Sequence, residues 1–361
     1  MDLSVWCHRM PKVELHAHLH GCIRHDTLRE LMADKMHIDW EVTSIDGCFQ
    51  MFEAIHEIIT SRDHLVRIVS EIIEDFSNEN VRYLELRTTP RKLDLVCSYH
   101  EYIATIISVI EQHQAQIKVR LLLSINRNKS VPDAMDIVRL ALDWMAMSKY
   151  IVGVDFSGNA LSYDSKFIKF LPVLYLAREG GLKVTVHFAE HPDEIEAQQI
   201  LSFRPDRVGH ACCLSEELYR EMTEARVPIE VCLTSNAVTM GSFEYKSFGY
   251  KKLNKHPHRE LILNMHTTKY PICICTDDPG ILETSPTKEY IRASIAFGLT
   301  FEQLLTIARN AISIIFDKSE LQDLEQAFDE FSEAQLPDSH VRICKLQCGT
   351  AVEKHSILAG R

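Results

Sequence analysis

Val13-Glu14-Leu15-His16-Ala17-His18-Leu19 follows Pro11 and runs up to Gly21. Apart from Glu14 and its two histidines the stretch is apolar, and it reads as a buried strand. Side chains alternate across a strand, so His16 and His18 project from the same face. Two imidazoles converging on one point suit a divalent transition metal, and zinc favours nitrogen ligands of this kind. An H-x-H pair alone is a weak signal. Its weight depends on what the rest of the chain brings to the same place.

Working outward, similar short runs of β-branched or aliphatic residues recur at 81–87, 118–125, 151–156, 182–187, 206–209, 228–233 and 271–276. Stretches with helical spacing lie between most of them. Tyr102, Ile103, Ile106, Ile107 and Ile110 make one apolar stripe; Ile137, Leu140, Ala141, Trp144 and Met145 make another. Near-continuous apolar strands imply burial on both faces, as in a parallel sheet covered by helices. Eight such strands alternating with helices predict a (β/α)8 TIM barrel in a single domain, 1–361. An open doubly wound sheet is the competing arrangement, but no glycine-rich phosphate loop follows any strand. Segment 22–80 is longer than one crossover helix needs and predicts extra helices capping the barrel mouth. The polar stretch 337–361 predicts a partly irregular tail.

Composition narrows the class. The 361 residues are 46% hydrophobic and 25% charged, as in ordinary globular proteins. With 39 basic against 51 acidic residues, the net charge of −12 argues against a broad nucleic-acid footprint. No window approaches 18 uninterrupted apolar residues, so no membrane span is predicted. Met1–Met10 carries Trp6, Cys7 and His8 without a long apolar core, unlike a secretory leader. Eleven cysteines without regular spacing fit reduced thiols and a cytoplasmic location.

In barrels of this kind the chemistry sits at the C-terminal ends of the strands. His16 and His18 end the first strand, and His187 closes the fifth, with Glu190 three residues on. His210 follows the sixth in Val208-Gly209-His210, and Thr276-Asp277-Asp278-Pro279 closes the eighth. A single strand histidine is more often a hydrogen-bonded core residue than a ligand; a cluster at one barrel edge is not explained that way. His16, His18 and His187 offer neutral imidazoles, and one aspartate of the 277–278 pair offers a carboxylate. Zinc held so lowers the pKa of its water toward neutrality. Glu190 is placed to shuttle a proton. His210 and the other aspartate are placed to orient water and substrate.

Other metal and nucleophile chemistries fit less well. A cytidine-deaminase site needs C-x-x-C, and a zincin protease needs H-E-x-x-H; the chain has neither. The cysteines sit in apolar runs and read as packing residues rather than nucleophiles. His256-Pro257-His258, in the long segment after the seventh strand, reads as loop and helix start rather than a metal site.

Met10-Pro11-Lys12-Val13-Glu14-Leu15-His16-Ala17-His18-Leu19, His187-Phe188-Ala189-Glu190, Val208-Gly209-His210 and Cys275-Thr276-Asp277-Asp278-Pro279 together resemble the motifs of the adenosine and AMP deaminases. These are zinc-dependent (β/α)8 enzymes of the amidohydrolase group. The resemblance runs from about Lys12 to about Leu305. Glu85-Leu86-Arg87-Thr88-Thr89-Pro90-Arg91, the stretch Cys48 to His56 and Cys232-Leu233-Thr234-Ser235-Asn236 look most like the adenosine deaminase-like branch, the N6-methyl-AMP deaminases.

The resemblance implies one zinc ion per chain, held by His16, His18, His187 and Asp277. It implies that Glu190 protonates the purine ring nitrogen and that His210 orients the attacking oxygen. Asp278 and the backbone of Gly158 would hold the purine, and His18 would also border the substrate. His20, His56 and the turn Thr88, Thr89, Pro90, Arg91 would face the 5′-phosphate. Two positions depart from the pattern. Position 20 is usually asparagine in this branch and aspartate in enzymes acting on free adenosine, but here it is histidine, which suits a phosphate better. Asn126 stands where the branch usually has aspartate. The implied reaction removes the N6-methylamino, 6-amino or N6-alkylamino group from a purine nucleoside monophosphate, giving IMP from N6-methyl-AMP. The alternatives are a deaminase of the free nucleoside and, in a different class, a catalytically silent metal-binding protein on the same fold. Partners are then limited to the small-molecule nucleotide, with no nucleic acid or membrane, and the chain is expected to act as a monomer.

Overall fold

Strands form where the short apolar runs lie: β1 Lys12–His18, β2 Val81–Thr88, β3 Lys118–Asn126, β4 Ile151–Ser157, β5 Lys183–Phe188, β6 Arg207–His210, β7 Ile229–Val231 and β8 Ile272–Ile274. The computed structural model describes residues 2–32, 42, 44–93, 97–113, 115–162, 165–239 and 255–335. The strands pair in sequence order, each parallel to the next. The ring closes where Ala17 bridges Asp277: His18 N–H donates to the Asp277 carbonyl at 3.0 Å, and Asp277 N–H to the His16 carbonyl at 2.8 Å. This is the (β/α)8 barrel that the alternation predicts.

Helices cover the outside of the ring. In Tyr99–His113 the predicted stripe, Tyr102, Ile103, Ile106, Ile107 and Ile110, is buried. Val131–Met147 starts at a capping box, in which the Ser130 hydroxyl accepts from Asp133 N–H and the Asp133 carboxylate accepts from Ser130 N–H. Three helices fall between β1 and β2: His25–Met32, Ile45–Ile58 and Arg62–Asn78. Arg62–Asn78 packs on Tyr99–His113 and β2 as an ordinary barrel helix. Ile45–Ile58 lies over the barrel mouth, where Ile45, Cys48, Phe49, Phe52 and His56 line a cleft. The tail 337–361 lies outside the described residues. Among those described, no helix is long and apolar enough to cross a membrane.

Candidate active site

The turns that leave three strands at the mouth have unusual backbones. Ala189 (φ 49°), His210 (φ 61°) and Asp277 (φ 63°) all occupy the left-handed region, which non-glycine residues rarely adopt. Each sits just past or at the end of β5, β6 or β8. Such strain persists only where surrounding bonds hold it, and it concentrates at functional sites. Here the β1–β8 closure bonds hold Asp277, and Ala211 N–H donates to the Phe188 carbonyl at 2.8 Å to hold the turn after His210.

His16, His18, His187 and Asp277 form one group with ligand atoms all within 4.8 Å of each other. His18 Nε2 lies 3.0 Å from His187 Nε2, and Asp277 Oδ1 lies 3.2 Å from His16 Nε2 and 3.4 Å from His18 Nε2. The partners of the opposite ring nitrogens set the tautomers. His16 Nδ1 donates to Glu230 Oε2 at 2.6 Å, and His187 Nδ1 donates to Asp155 Oδ1 at 3.0 Å. Both rings therefore present bare Nε2 atoms inward, as a metal requires. His16 Nε2 is buried and makes no well-formed hydrogen bond, with only the Asp277 carboxylate beside it at 3.2 Å. A buried acceptor left unpaired is costly, and a cation among these four residues removes the cost. The donor set, three imidazoles and a carboxylate, fits zinc.

Beneath the group lies a charged layer that the apolar strands conceal. Glu230 Oε1 accepts from Thr185 Oγ1 at 2.9 Å and Arg207 Nε at 2.7 Å, while Oε2 also accepts from Arg87 Nη2 at 2.8 Å. Arg87 Nη1 donates to Asp155 Oδ1 at 2.9 Å, and Ser124 Oγ donates to Oδ2 at 2.9 Å. Burial alone would raise both carboxyls, but Arg87, joined by Arg207 at Glu230 and His187 at Asp155, outweighs it and holds them well below the usual range. Both stay ionised and keep accepting from the histidines. Gly209 leaves room for this arrangement: a Cβ there would lie 2.7 Å from His16 Cε1.

Glu190 and His210 stand beside the ligand group. His210 Nε2 is 3.5 Å from Glu190 Oε1 and 3.9 Å from Asp277 Oδ2, and it is buried without a hydrogen-bond partner. Burial lowers His210 to about 4, so its ring is neutral. Asp278 behaves oppositely to its neighbour. Burial, reinforced by the charge of Asp277, pushes its carboxyl well above the usual range, and its Oδ1 is unpaired. The adjacent carboxyls are thus pushed in opposite directions, Asp277 toward the ionised form and Asp278 toward the neutral one. Glu190, Asp277 and Asp278 line a cleft of about 150 Å³ shared with His18, His20, His56, Thr88, Thr89, Asn126 and Gly158.

The far end of the cleft is more mixed. His20 Nε2 is buried and unpaired, and its ring meets that of His56 edge-on at 4.9 Å. Thr88 is engaged elsewhere, its hydroxyl 2.7 Å from Tyr102 OH. Pro90 and Arg91 are not among the lining residues; Arg91 Nη2 donates to the His56 carbonyl at 2.8 Å, while Nη1 is buried and unpaired. Asn126 Oδ1 accepts from Asn128 N–H at 2.9 Å and so braces its own turn. Gly158 (φ 107°) must be glycine twice over, since a Cβ there would also sit 2.6 Å from Asn126 Oδ1.

Residues 11–329 match the sequence profile of the adenosine deaminase family. The chain belongs to this family. It is similar to the N6-mAMP deaminase of Arabidopsis thaliana, 35% identical over an alignment that covers 91% of this chain and 98% of the relative. It is 32% identical to the human N6-Methyl-AMP deaminase, over 85% of this chain and 89% of that one. A solved structure of Arabidopsis ADAL complexed with IMP superposes with a TM-score of 0.80 at 34% identity, covering 92% of this chain and 99% of the other.

Two carboxylates beneath this deaminase cleft were not singled out by any motif. Asp155 and Glu230 are lone carboxylates inside apolar strands, and that oddity is the clue that would have marked them. Arg87, Ser157, Ser235 and Thr239 line the cleft itself, beside the residues given above. His256 and His258 lie in the turn before the helix Arg259–Leu263, with His258 at its N-cap position, and both are buried beside the site.

Proposed function

We propose that this chain is a zinc-dependent deaminase that converts N6-methyl-AMP and water to IMP and methylamine, using one zinc ion per chain. The observation that carries the reading is the unpaired, buried Nε2 of His16 among His18, His187 and Asp277, directly beside Glu190, His210 and Asp278. The similarity to named N6-methyl-AMP deaminases over most of the chain supports the substrate.

His16, His18, His187 and Asp277 would hold the ion, which when bound makes water acidic enough to react near pH 7. The protein supplies the rest. Protonated Asp278 donates to a purine ring acceptor and, with the Gly158 backbone, fixes the base over the ligand group. His210 Nε2 faces the attacking oxygen. Glu190 passes a proton to the ring nitrogen next to carbon 6. A C–O bond forms at carbon 6, the C–N bond breaks, and the nitrogen departs with a proton as methylamine. His20, with the Arg91 Nη1 that lacks a partner, takes the phosphate end. Among the described residues no cysteine is joined in a disulfide, which suits a reducing, cytoplasmic setting.

Zinc-loaded protein offered adenosine, AMP, N6-methyladenosine and N6-methyl-AMP side by side should turn over N6-methyl-AMP best. Preference for the unphosphorylated nucleosides would refute the nucleotide assignment.

A further inference from the structure

His256-Pro257-His258 has no part in the ligand group, yet both of its histidines reach His210. His258 N–H donates to His256 Nδ1 at 3.2 Å. An imidazole that accepts at Nδ1 carries its proton on Nε2 when neutral, and burial keeps His256 neutral by pushing its pKa well below the ordinary value. His256 Nε2 then donates to Asn236 Oδ1 at 3.3 Å, with Cys212 Sγ a weaker neighbour at 3.9 Å. That contact orients the Asn236 amide, whose Nδ2 donates to His210 Nδ1 at 2.9 Å. Each step leaves a single choice for the next. His210 must accept at Nδ1 and carry its proton on Nε2, the atom 3.5 Å from Glu190 and otherwise unpaired.

The second histidine fixes the backbone of the same residue. His258 Nε2 donates to the His210 carbonyl at 2.6 Å, and its Nδ1 lies 3.2 Å from Tyr219 OH. His210 has a left-handed φ of 61°, so this carbonyl belongs to a turn that needs holding.

We propose that the His256–Asn236 chain sets the tautomer of His210, which makes His256 a positioning residue for the reaction although it lies in the segment after β7. The inference rests on the reading of His210 as the group that faces the attacking oxygen. A ring with its proton on Nε2 donates toward the reaction site; the alternative tautomer presents a lone pair there and cannot. Outer partners that orient a site histidine typically contribute about 10–100-fold to activity.

The test replaces His256 by Phe, which keeps the ring and removes both nitrogens, and by Gln, whose side-chain amide can still donate to Asn236. His256→Ala serves if the Phe variant fails to fold, as judged by its melting curve and zinc content. Long-range 1H–15N spectra of histidine-labelled, zinc-loaded protein read the tautomer of His210 without substrate, the His210 signals being identified by their loss in His210→Asn. The expected result is a pure Nε2–H pattern in the parent and in His256→Gln, and a mixed pattern in His256→Phe. The Phe variant should lose about 10–100-fold in kcat with little change in KM, and the Gln variant should recover most of it. An unchanged His210 tautomer in His256→Phe, or full kcat in that variant, overturns the inference. Because the spectra need no substrate, they decide it even if N6-methyl-AMP proves not to be the substrate.

Discussion

His16 Nδ1 and Glu230 Oε2 lie 2.6 Å apart with both side chains fully buried, joining β1 to β7 across the barrel interior. Glu230 accepts from four donors at once, on Thr185, Arg207, Arg87 and His16. It therefore neutralises two buried guanidinium groups and also decides which nitrogen His16 offers to a metal. Stability and metal binding meet in one carboxylate.

Glu230→Gln tests this double role. The amide keeps the shape but turns an N–H₂ toward donors and leaves the arginines with less charge to face. Breaking a buried ion pair by removing one partner costs about 3–5 kcal/mol. Zinc affinity should also fall, by about 10–100-fold, as His16 loses its orientation. Thermal unfolding of the metal-free protein and zinc titration against a chelator measure the two effects separately. Parent-like values in both would show that Arg87 and Arg207 are satisfied without Glu230.

His16→Ala and His187→Ala each remove one of the four grouped ligand residues. Purified parent protein should hold about one zinc per chain, and each variant should lose metal and activity together. Elemental analysis finding full zinc in both variants would place the ion elsewhere.

Glu190→Gln keeps a hydrogen-bonding side chain beside His210 but cannot deliver a proton. A positioned acid-base group contributes about 10²–10⁴-fold, so turnover should drop by that order while zinc content and IMP binding persist. Near-parental turnover would mean that another group carries the proton.

The sequence exposes those parts of this molecule that are local. Apolar runs mark all eight strands, and reactive residues at strand ends mark the ligand group, because strand periodicity and strand termini are read from neighbouring residues. What stays hidden depends on distant partners. Asp155 and Glu230 look like isolated charges in hydrophobic strands until Arg87 and Arg207 arrive from β2 and β6. His256 does sit in a loop, but its tie to the site stays hidden because its partner, Asn236, lies 20 residues earlier in sequence. Arg91 shows the reverse case: its turn is legible, but only the fold reveals that the His56 carbonyl holds one end of its guanidinium.

That half-held guanidinium is suited to a phosphate. Arg91 Nη2 is anchored on His56, whereas Nη1 is buried without a partner, and His20 Nε2 is in the same condition. Burial lowers the pKa of both side chains, as it must when cations or donors are left unmatched. A phosphate reached by Nη1 would supply the missing acceptor, and a hydrogen bond to a charged group is worth about 1.5–3 kcal/mol. Arg91→Ala should therefore lower kcat/KM for N6-methyl-AMP by roughly tenfold to a hundredfold, at 1.36 kcal/mol per factor of ten. The slower reaction on N6-methyladenosine, which has no phosphate to lose, should hardly change. His20→Asn provides the comparison: it keeps a donor of shorter reach and should weaken N6-methyl-AMP binding less than Arg91→Ala does. Steady-state kinetics of both variants on both substrates give the answer. Equal losses on nucleotide and nucleoside would mean that Arg91 supports the helix Ile45–Ile58 through His56, and that the phosphate is held by other groups.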